Sequence, residues 1–366
     1  MRFSLQREVL LKPLQQVVNV VERRHTLPVL ANLLLQVNDG RLAMTGTDLE
    51  VEMVARCAVD DAQDGDATVP ARKLFEIVRA LPDGSRVTVS FSGEKATVQA
   101  GRSRFSLATL PANDFPNIDE LELVERVSLP ESVLKELIER TAFGMAQQDV
   151  RYYLNGLLLD LRENLLRCVA TDGHRLALCE AELSEGVKSR KQIIVPRKGI
   201  LELQRLLEGG DRTVELEVGR NHLRIHREDV TFTSKLIDGR FPDYDAVIPI
   251  GADKEVAVDR DALRAALQRA AILSNEKYRG VKLEFSPGQL RIIAHNPEQE
   301  EAQEELEAET QIDDLAIGFN VTYLLEALSS LREEKVLLLL RDANSSALLR
   351  EASNDKTRHV VMPLRL

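Results

Sequence analysis

One segment of this chain occurs three times, and the recurrence constrains the fold more than any other feature. The copies span residues 32–48, 154–172 and 280–296, and equivalent positions lie 124 residues apart with no gap. Each copy holds two apolar runs around a cluster of turn residues, which is the pattern of a β-hairpin. Because a spacing of 124 residues is the length of a whole small domain, we expect three similar domains.

The 366 residues divide into three parts of about 120 residues, each long enough to bury its own core. Acidic segments that contain proline, at residues 116–125 and 243–254, favour domains at residues 1–124, 125–247 and 248–366. Each part carries the pattern of two helices and about eight short strands. Strands that dominate, with helices to one side, predict an α+β fold of antiparallel sheets.

Helical spacing of apolar residues places two helices in each repeat. The opening helices are expected at residues 8–18, 131–141 and 260–271, and the second helices at residues 74–81, 199–207 and 323–331. Pro13 should kink or interrupt the first helix, whereas Asp259 is a suitable N-cap for the opening helix of the third repeat.

The composition excludes several classes of protein. No apolar run approaches the ~20 residues of a membrane helix, and the strand-like N-terminus predicts no signal peptide. Cys57, Cys168 and Cys179 are odd in number and lack CxxC spacing. They favour reduced thiols in the cytoplasm over a disulfide scaffold or a zinc site. The formal net charge is −11, so binding to nucleic acid needs basic residues gathered on one face.

Only one stretch resembles an active site, because the sequence contains no P-loop, GxGxxG, HExxH or GxSxG motif. In that stretch Asp172, His174 and Arg175 could perform acid–base work or hold phosphate. A tight turn after a strand is the alternative, since Asp and Gly often occur in turns for backbone reasons. The turn is favoured, because the other repeats carry different residues at the same place.

Basic residues recur at matching places on the predicted helices and could form one phosphate-binding surface that ignores base sequence. They are Arg72, Lys73 and Arg79 in the first repeat, Arg197, Lys198 and Arg205 in the second, and Lys12, Lys135, Arg140, Arg264 and Arg269 on the opening helices. The basic-aromatic cluster at residues 151–153 could stack on bases or pack in the core. The acidic run at residues 298–309 is typical of a solvated or partner-facing strip.

Eight stretches together resemble the bacterial DNA polymerase III beta subunit, the sliding clamp, and the resemblance covers the whole chain. They are residues 11–16, 69–73, 149–156, 170–177, 238–244, 272–277, 296–301 and 360–363. The family implies the DNA clamp fold, with three domains in each subunit and two subunits in a closed ring. Helices would line the hole and sheets would form the outside. Such a ring encircles duplex DNA and tethers the polymerase, with no catalytic residue, cofactor or metal of its own.

The resemblance also implies the partners: double-stranded DNA bound without sequence preference, a second copy of the chain, the alpha subunit of the replicative polymerase, the clamp loader, and other polymerases and repair proteins that carry short clamp-binding peptides. No membrane partner is implied. The DNA-facing residues that carry over are Arg24, Arg72, Arg79, Gln148, Tyr152, Tyr153, Arg197 and Lys198.

Two further sets of residues carry over from the family. The partner-peptide cleft between the second and third domains maps onto Leu154, Thr171, Gly173, His174, Arg175, Leu176, Pro242, Val247, Ser346, Val360, Val361, Met362, Pro363, Leu364 and Arg365. The dimer interface would join Lys73, Arg102, Arg104 and Phe105 of one subunit to Ile272, Leu273, Glu298, Glu300, Glu301 and Glu304 of the other.

The sequence departs from the family pattern at two places. Ala246 stands where members often carry arginine, and Asp245 beside it adds negative charge, so one rim of the cleft is expected to select peptides differently. Glu22 and Arg23 stand where small residues are expected, in the loop that bears Arg24.

Two other functions stay open at this point. One is a phosphate-processing enzyme that uses Asp172, His174 and Arg175. The other is a repeat scaffold that binds proteins but not DNA.

Overall fold

The computed structural model describes residues 1–23, 26–118 and 121–365, so the predicted DNA-facing residue Arg24 lies outside the described residues. Helices and antiparallel sheets confirm the α+β class. Within the described ranges, no helix is both long and apolar enough to cross a membrane.

Six α-helices occur in the described ranges, two in each repeat as predicted. They are α1 (Arg7–Val18), α2 (Ala71–Ala80), α3 (Glu131–Glu139), α4 (Arg197–Leu206), α5 (Arg260–Ala271) and α6 (Val321–Ser330). α1 runs through Pro13 without a break, so the predicted interruption is wrong. Asp259 caps α5 as predicted, because its carboxylate accepts the N–H of Ala262 at 2.7 Å.

The second helix of each repeat begins two or three residues earlier than predicted. α2 begins directly after Pro70 and α4 directly after Pro196, since proline fixes a backbone angle that suits a helix entry but lacks the amide of a strand interior. The basic residues that follow each proline therefore lie in the first helical turn.

Twenty-five strands occur in the described ranges, nine in the first repeat and eight in each of the others. They are β1 (Arg2–Gln6), β2 (Asn32–Asn38), β3 (Arg41–Thr47), β4 (Val51–Ala58), β5 (Asp60–Gln63), β6 (Gly65–Pro70), β7 (Arg86–Ser92), β8 (Lys95–Ala100), β9 (Ser103–Ala108), β10 (Leu123–Pro130), β11 (Gly156–Arg162), β12 (Leu165–Thr171), β13 (Arg175–Glu182), β14 (Lys191–Pro196), β15 (Thr213–Gly219), β16 (His222–Arg227), β17 (Val230–Lys235), β18 (Lys254–Asp259), β19 (Gly280–Ser286), β20 (Gln289–His295), β21 (Glu301–Glu307), β22 (Leu315–Asn320), β23 (Lys335–Leu340), β24 (Ala347–Glu351) and β25 (Thr357–Val361). The three predicted hairpins are β2–β3, β11–β12 and β19–β20.

The strands form four antiparallel sheets. A five-stranded sheet has the order β5-β1-β7-β8-β9 and a four-stranded sheet the order β21-β20-β19-β22. The two eight-stranded sheets have the orders β10-β15-β16-β17-β4-β3-β2-β6 and β14-β11-β12-β13-β25-β24-β23-β18.

Each eight-stranded sheet is shared by two neighbouring repeats. In one, β17 of the second repeat pairs with β4 of the first, with Phe232 opposite Met53. In the other, β25 of the third repeat pairs with β13 of the second, with His359 opposite Ala177. We call these two pairings the closed junctions.

Contacts divide the chain into two compact units. One contains Met1–Ser132 with Lys198–Leu236, and the other contains Val133–Arg197 with Ile237–Leu366. The units cut through the second repeat, because its strands pair with the first repeat in one sheet and with the third in the other. The division into three domains at residues 124 and 247 stays a prediction.

A glycine at the start of β11 is required by close packing in the second unit. A Cβ atom on Gly156 would lie 2.5 Å from the carbonyl oxygen of Val195 on the paired strand β14. On one face of this sheet, α5 and α6 cover an apolar core. On the other face, a smaller cluster that includes Leu176, Phe241 and Val360 supports the cleft described below.

Candidate nucleic-acid interface and peptide cleft

The first turns of α2 and α4 carry three of the predicted DNA-facing cations, Arg72, Arg197 and Lys198, and the last turn of α2 carries Arg79. Arg72 is exposed, and its guanidinium donates to the carbonyl of Val21 at 2.8 Å. Arg79 is also exposed and lies 5.3 Å from the ring centre of Phe75. Cations in a first helical turn oppose the helix dipole, so a bound anion would relieve that cost.

The corresponding residues of α4 have more contacts within the chain and are less available to a phosphate. Lys198 is half-buried and pairs with two carboxylates, Glu22 and Asp48. Burial lowers the pKa of Lys198, but the hydrogen bonds to Asp48 and Glu22 outweigh this and raise it. Arg197 makes a long contact of 3.5 Å with the carbonyl of Met145. A phosphate would therefore compete with Glu22 for Lys198.

The two tyrosines predicted to face DNA lie in different environments in the structure. Tyr152 is 58% exposed, and Gln148 is exposed in a left-handed backbone conformation with φ of 53°. Tyr153 instead packs on the apolar cluster beneath the cleft and lines the cleft itself. The two tyrosine rings meet edge to face at 5.8 Å.

The opening helices contribute less free positive charge than the sequence predicted. The prediction that Arg140 is a surface cation is wrong, because this residue is only 4% exposed. Its guanidinium pairs with the buried carboxylate of Glu351 on β24 at 2.9 Å. Lys12 pairs with Glu208 at 3.3 Å, whereas Arg264 is exposed and has no salt bridge to the described residues.

Three other predicted basic positions also have acidic neighbours within the chain. These pairs are Lys135 with Glu139 at 3.8 Å, Arg205 with Glu202 at 2.5 Å, and Arg269 with Glu304 at 2.7 Å.

An apolar cleft of about 220 Å³ lies in the second unit. Nine of the residues predicted for the peptide cleft line it, namely Leu154, Thr171, Gly173, Arg175, Leu176, Pro242, Val247, Val360 and Met362. Arg151, Tyr153 and Tyr244 line it as well, although none was predicted as a cleft residue. Tyr244 could have been identified, because it ends the 238–244 motif.

Six predicted cleft residues do not line this cavity, namely His174, Ser346, Val361, Pro363, Leu364 and Arg365. Val361 is 1% exposed and belongs to the core under the helices, since successive side chains of β25 point to opposite faces. His174 is exposed next to the lining residue Gly173. The backbone N–H of Leu364 donates to the carbonyl of Gly318 on β22 at 2.8 Å.

Arg175 connects the lining of the cleft to Phe143 and to α6. Its guanidinium lies between the rings of Phe143 and Tyr323, 5.4 and 4.6 Å from their centres. It donates to the carbonyl of Phe143 at 2.9 Å and pairs with Glu326 on α6. These contacts hold the Arg175 side chain in place as part of the lining of the cleft.

The suspected active site is a turn. The carboxylate of Asp172 accepts the N–H groups of His174 and Arg175 at 2.9 and 3.2 Å. Asp48 accepts the N–H groups two and three residues further on in the same way in the first repeat, whereas Asn296 accepts that of Glu300, four residues further on, in the third. The recurrence shows a backbone role for these residues, as the turn interpretation predicted.

The carboxylate of Asp245 at the rim of the cleft is paired with arginines of the same chain. Arg162 donates to one oxygen of Asp245 at 2.8 Å, and Arg167 donates to the other at 3.2 Å. The same two arginines also pair with Asp160 and Glu180, so the effect of Asp245 on peptide selection stays a prediction.

Two sheet edges carry the predicted interface residues. On the edge strand β9 and just before it, Arg104 and Arg102 are exposed and have no salt bridge to the described residues. The other edge strand, β21, alternates exposed and half-buried residues from Glu301 to Glu307. Ile272, just after α5, is 77% exposed. We call β9 and β21 the open edges.

Comparison with known proteins matches the whole chain to one family. Models of the N-terminal, central and C-terminal domains of the DNA polymerase III beta subunit match residues 1–119, 128–243 and 245–365. The beta sliding clamps of Pseudomonas putida and Escherichia coli are 55% and 52% identical, over 100% of both chains in each case.

Solved structures agree with this match. A sliding clamp from Pseudomonas aeruginosa bound to griselimycin superposes with a TM-score of 0.98 at 55% identity, covering 100% of both chains. The beta sliding clamp of Caulobacter crescentus gives 0.95 at 40% identity, covering 100% of this chain and 99% of that one. The chain belongs to the DNA polymerase III beta subunit family. It has the clamp fold, and its role is that of a sliding clamp in DNA replication.

Proposed function

We propose that two copies of this chain close head to tail into a ring that encircles duplex DNA in the cytoplasm. The ring makes the replicative polymerase processive and recruits the alpha subunit, the clamp loader and repair proteins through the apolar cleft. It acts by topology and has no catalytic residue of its own.

The observation that carries the ring is the equivalence of the open edges to the closed junctions. β4, β13 and β21 hold the same place in their repeats, as do β17, β25 and β9. β4 pairs with β17, and β13 pairs with β25. Only β21 and β9 of this series lack such a partner in the described chain, so pairing between two copies completes the pattern.

The same equivalence gives the register of the proposed pairing. Phe105 corresponds to Phe232, because each lies opposite the equivalent residue of the preceding strand, Val98 or Ile225. Ala302 corresponds to Ala177 in the same way. Phe105 of one subunit should therefore lie opposite Ala302 of the other.

This register brings opposite charges together. Arg104 would lie opposite Gln303, with Glu301 and Glu305 as its diagonal neighbours on the same face. Unlike charges across such an edge fix the register and suppress wrong pairings.

A charge exchange between subunits tests the ring. Arg104→Glu and Glu301→Arg should each give monomers in sedimentation velocity, because each places like charges next to one another at both interfaces of the dimer. An equal mixture of the two variants should form dimers, since one interface then has the exchanged pair and the other the native pair. Two variants that remain dimeric alone, or a mixture that stays monomeric, would contradict head-to-tail closure.

The cleft supports peptide recognition, because an apolar pocket with a few polar edges suits short peptide anchors. His174→Ala at its edge should weaken binding of the polymerase alpha subunit while leaving retention on circular DNA intact. Loss of both together would contradict a separate partner site.

A further inference from the structure

A carboxylate with no exposed surface lies behind one wall of the apolar cleft. Asp160 on β11 is 0% exposed. It accepts two hydrogen bonds from Arg190, at 2.9 and 2.7 Å, and one from Nε of Arg162 at 3.1 Å. Burial raises the pKa of Asp160, but the bonds from Arg190, Tyr244 and Arg162 outweigh it and lower the pKa to about 2.

The same carboxylate holds an aromatic ring of the cleft. The hydroxyl of Tyr244 donates to Asp160 at 2.5 Å and accepts from Arg162 at 2.7 Å. The Arg162 guanidinium also lies 5.7 Å from the centre of the Tyr244 ring. Tyr244 is 2% exposed and lines the cleft, so its ring is fixed from behind by groups that do not line the cleft.

The segment that bears Tyr244 has little regular structure of its own. Residues 236–244 form neither helix nor strand, and a short 3-10 helix, Asp245–Val247, follows. Polar contacts attach this segment to the sheet, because Arg162 and Arg167 both donate to Asp245. Three residues of the segment, Pro242, Tyr244 and Val247, line the cleft.

We propose that Asp160 is a positioning residue for peptide recognition: together with Arg162 it holds Tyr244 and Asp245 so that this wall of the cleft is preformed. The inference rests on the proposed peptide cleft. A preformed wall favours binding, because less conformational entropy is lost when the peptide enters. Asp160 contributes to affinity without touching the peptide.

The test uses a fluorescein-labelled pentapeptide of leucine and phenylalanine with one polar end residue, because the cleft is apolar with a few polar edges. Binding is followed by fluorescence anisotropy on the full-length protein. Asp160→Asn should weaken binding about tenfold. In a Tyr244→Phe background the same change should cost no more than about threefold, since the contact through which Asp160 acts is already lost.

Two controls separate positioning from general destabilisation. Glu131→Gln removes a similarly buried carboxylate held by Arg227 and Arg212 in the other compact unit, and it should leave peptide affinity unchanged. Met362→Ala changes a lining residue directly and should weaken binding, which shows that the peptide occupies the cleft.

Three results would overturn the inference while leaving the cleft standing: unchanged affinity in Asp160→Asn, full additivity with Tyr244→Phe, or an equal loss in Glu131→Gln. Failure of the unmodified protein to bind the peptide would instead overturn the peptide cleft, and this inference with it. Should Asp160→Asn not fold, Arg162→Gln tests the same contacts at a residue that is 28% exposed.

Discussion

The closed junctions and the open edges place the same strands of the repeat in opposite environments. At the closed junction of the first two repeats, Phe232 is 0% exposed between Met53 and Ile225. Its equivalent on the open edge, Phe105, is only half-buried and has one neighbouring strand. The difference shows how one repeat can stabilise either a chain or an assembly, depending on whether the next repeat belongs to the same molecule.

The largest effect should come from truncating the two equivalent phenylalanines. In the Arg104→Glu background, which we expect to be monomeric, Phe232→Ala should lower the free energy of unfolding by about 3–5 kcal/mol, because it leaves a cavity in a closed core. Phe105→Ala should change it by no more than about 0.5 kcal/mol. Urea unfolding measures both.

The same pair should exchange roles in assembly. In the otherwise unmodified protein, Phe105→Ala should weaken the dimer by about 2 kcal/mol or more, as truncation of a central interface aromatic does. A Phe105→Ala protein that unfolds as easily as Phe232→Ala, or dimerises as well as the parent, would break the comparison.

The third equivalent position, His359, should make one closed junction sensitive to pH. Burial, with the nearby charges of Arg140 and Arg175, lowers the pKa of His359 from 6.5 to about 3. Because the folded pKa lies below the unfolded one, the unfolded state binds more protons, so stability falls as pH drops below about 6.5. Between pH 7 and pH 5 the loss should be about 2 kcal/mol.

Replacement of His359 by phenylalanine, the residue at both equivalent positions, sharpens this result. Urea unfolding of His359→Phe should lose that pH dependence between pH 7 and pH 5, a range above the titration of ordinary carboxylates. An unchanged pH profile in His359→Phe would assign the effect to other groups.

The smallest effect should come from a cation that, unlike Arg102 and Arg104 at the open edge, already has partners in its own chain. Glu22→Gln removes one of the two carboxylates that hold Lys198. DNA binding at low salt should strengthen about threefold, and the salt dependence should steepen by up to about one counterion, because only Asp48 then competes with a phosphate for Lys198. Fluorescence anisotropy with a labelled duplex, at several salt concentrations, measures both quantities.

Asp83→Asn is the matched control, since it changes the net charge equally at an exposed salt bridge with Arg7. Equal strengthening in the two variants would mean that only net charge matters, and Lys198 would lose its proposed role.

The repeat made much of the fold predictable from sequence. The constant spacing of 124 residues located the three hairpins, and apolar periodicity located the six helices. Both signals are local, so they do not depend on which distant strand becomes a neighbour. The starts of α2 and α4 were missed by three and two residues, because the first turn after Pro70 or Pro196 is polar and shows no periodicity.

Polar contacts over long distances in sequence were not predictable. Arg140 was predicted to lie on the surface, because the sequence does not show that Glu351, 211 residues away, is its buried partner. Asp160 gave no signal at all, since its partners Arg190 and Tyr244 are 30 and 84 residues distant. The bonds of Asp245 to Arg162 and Arg167, 83 and 78 residues away, were missed for the same reason.

Retention on circular and linear DNA tests the central claim most directly. The protein would be loaded onto a nicked circular plasmid by its clamp loader, separated from free protein, and followed by gel filtration before and after a single restriction cut. Encirclement requires that the protein stay on the intact circle at moderate salt and leave once the DNA has ends. Equal retention on both forms would mean ordinary electrostatic binding and would contradict the ring.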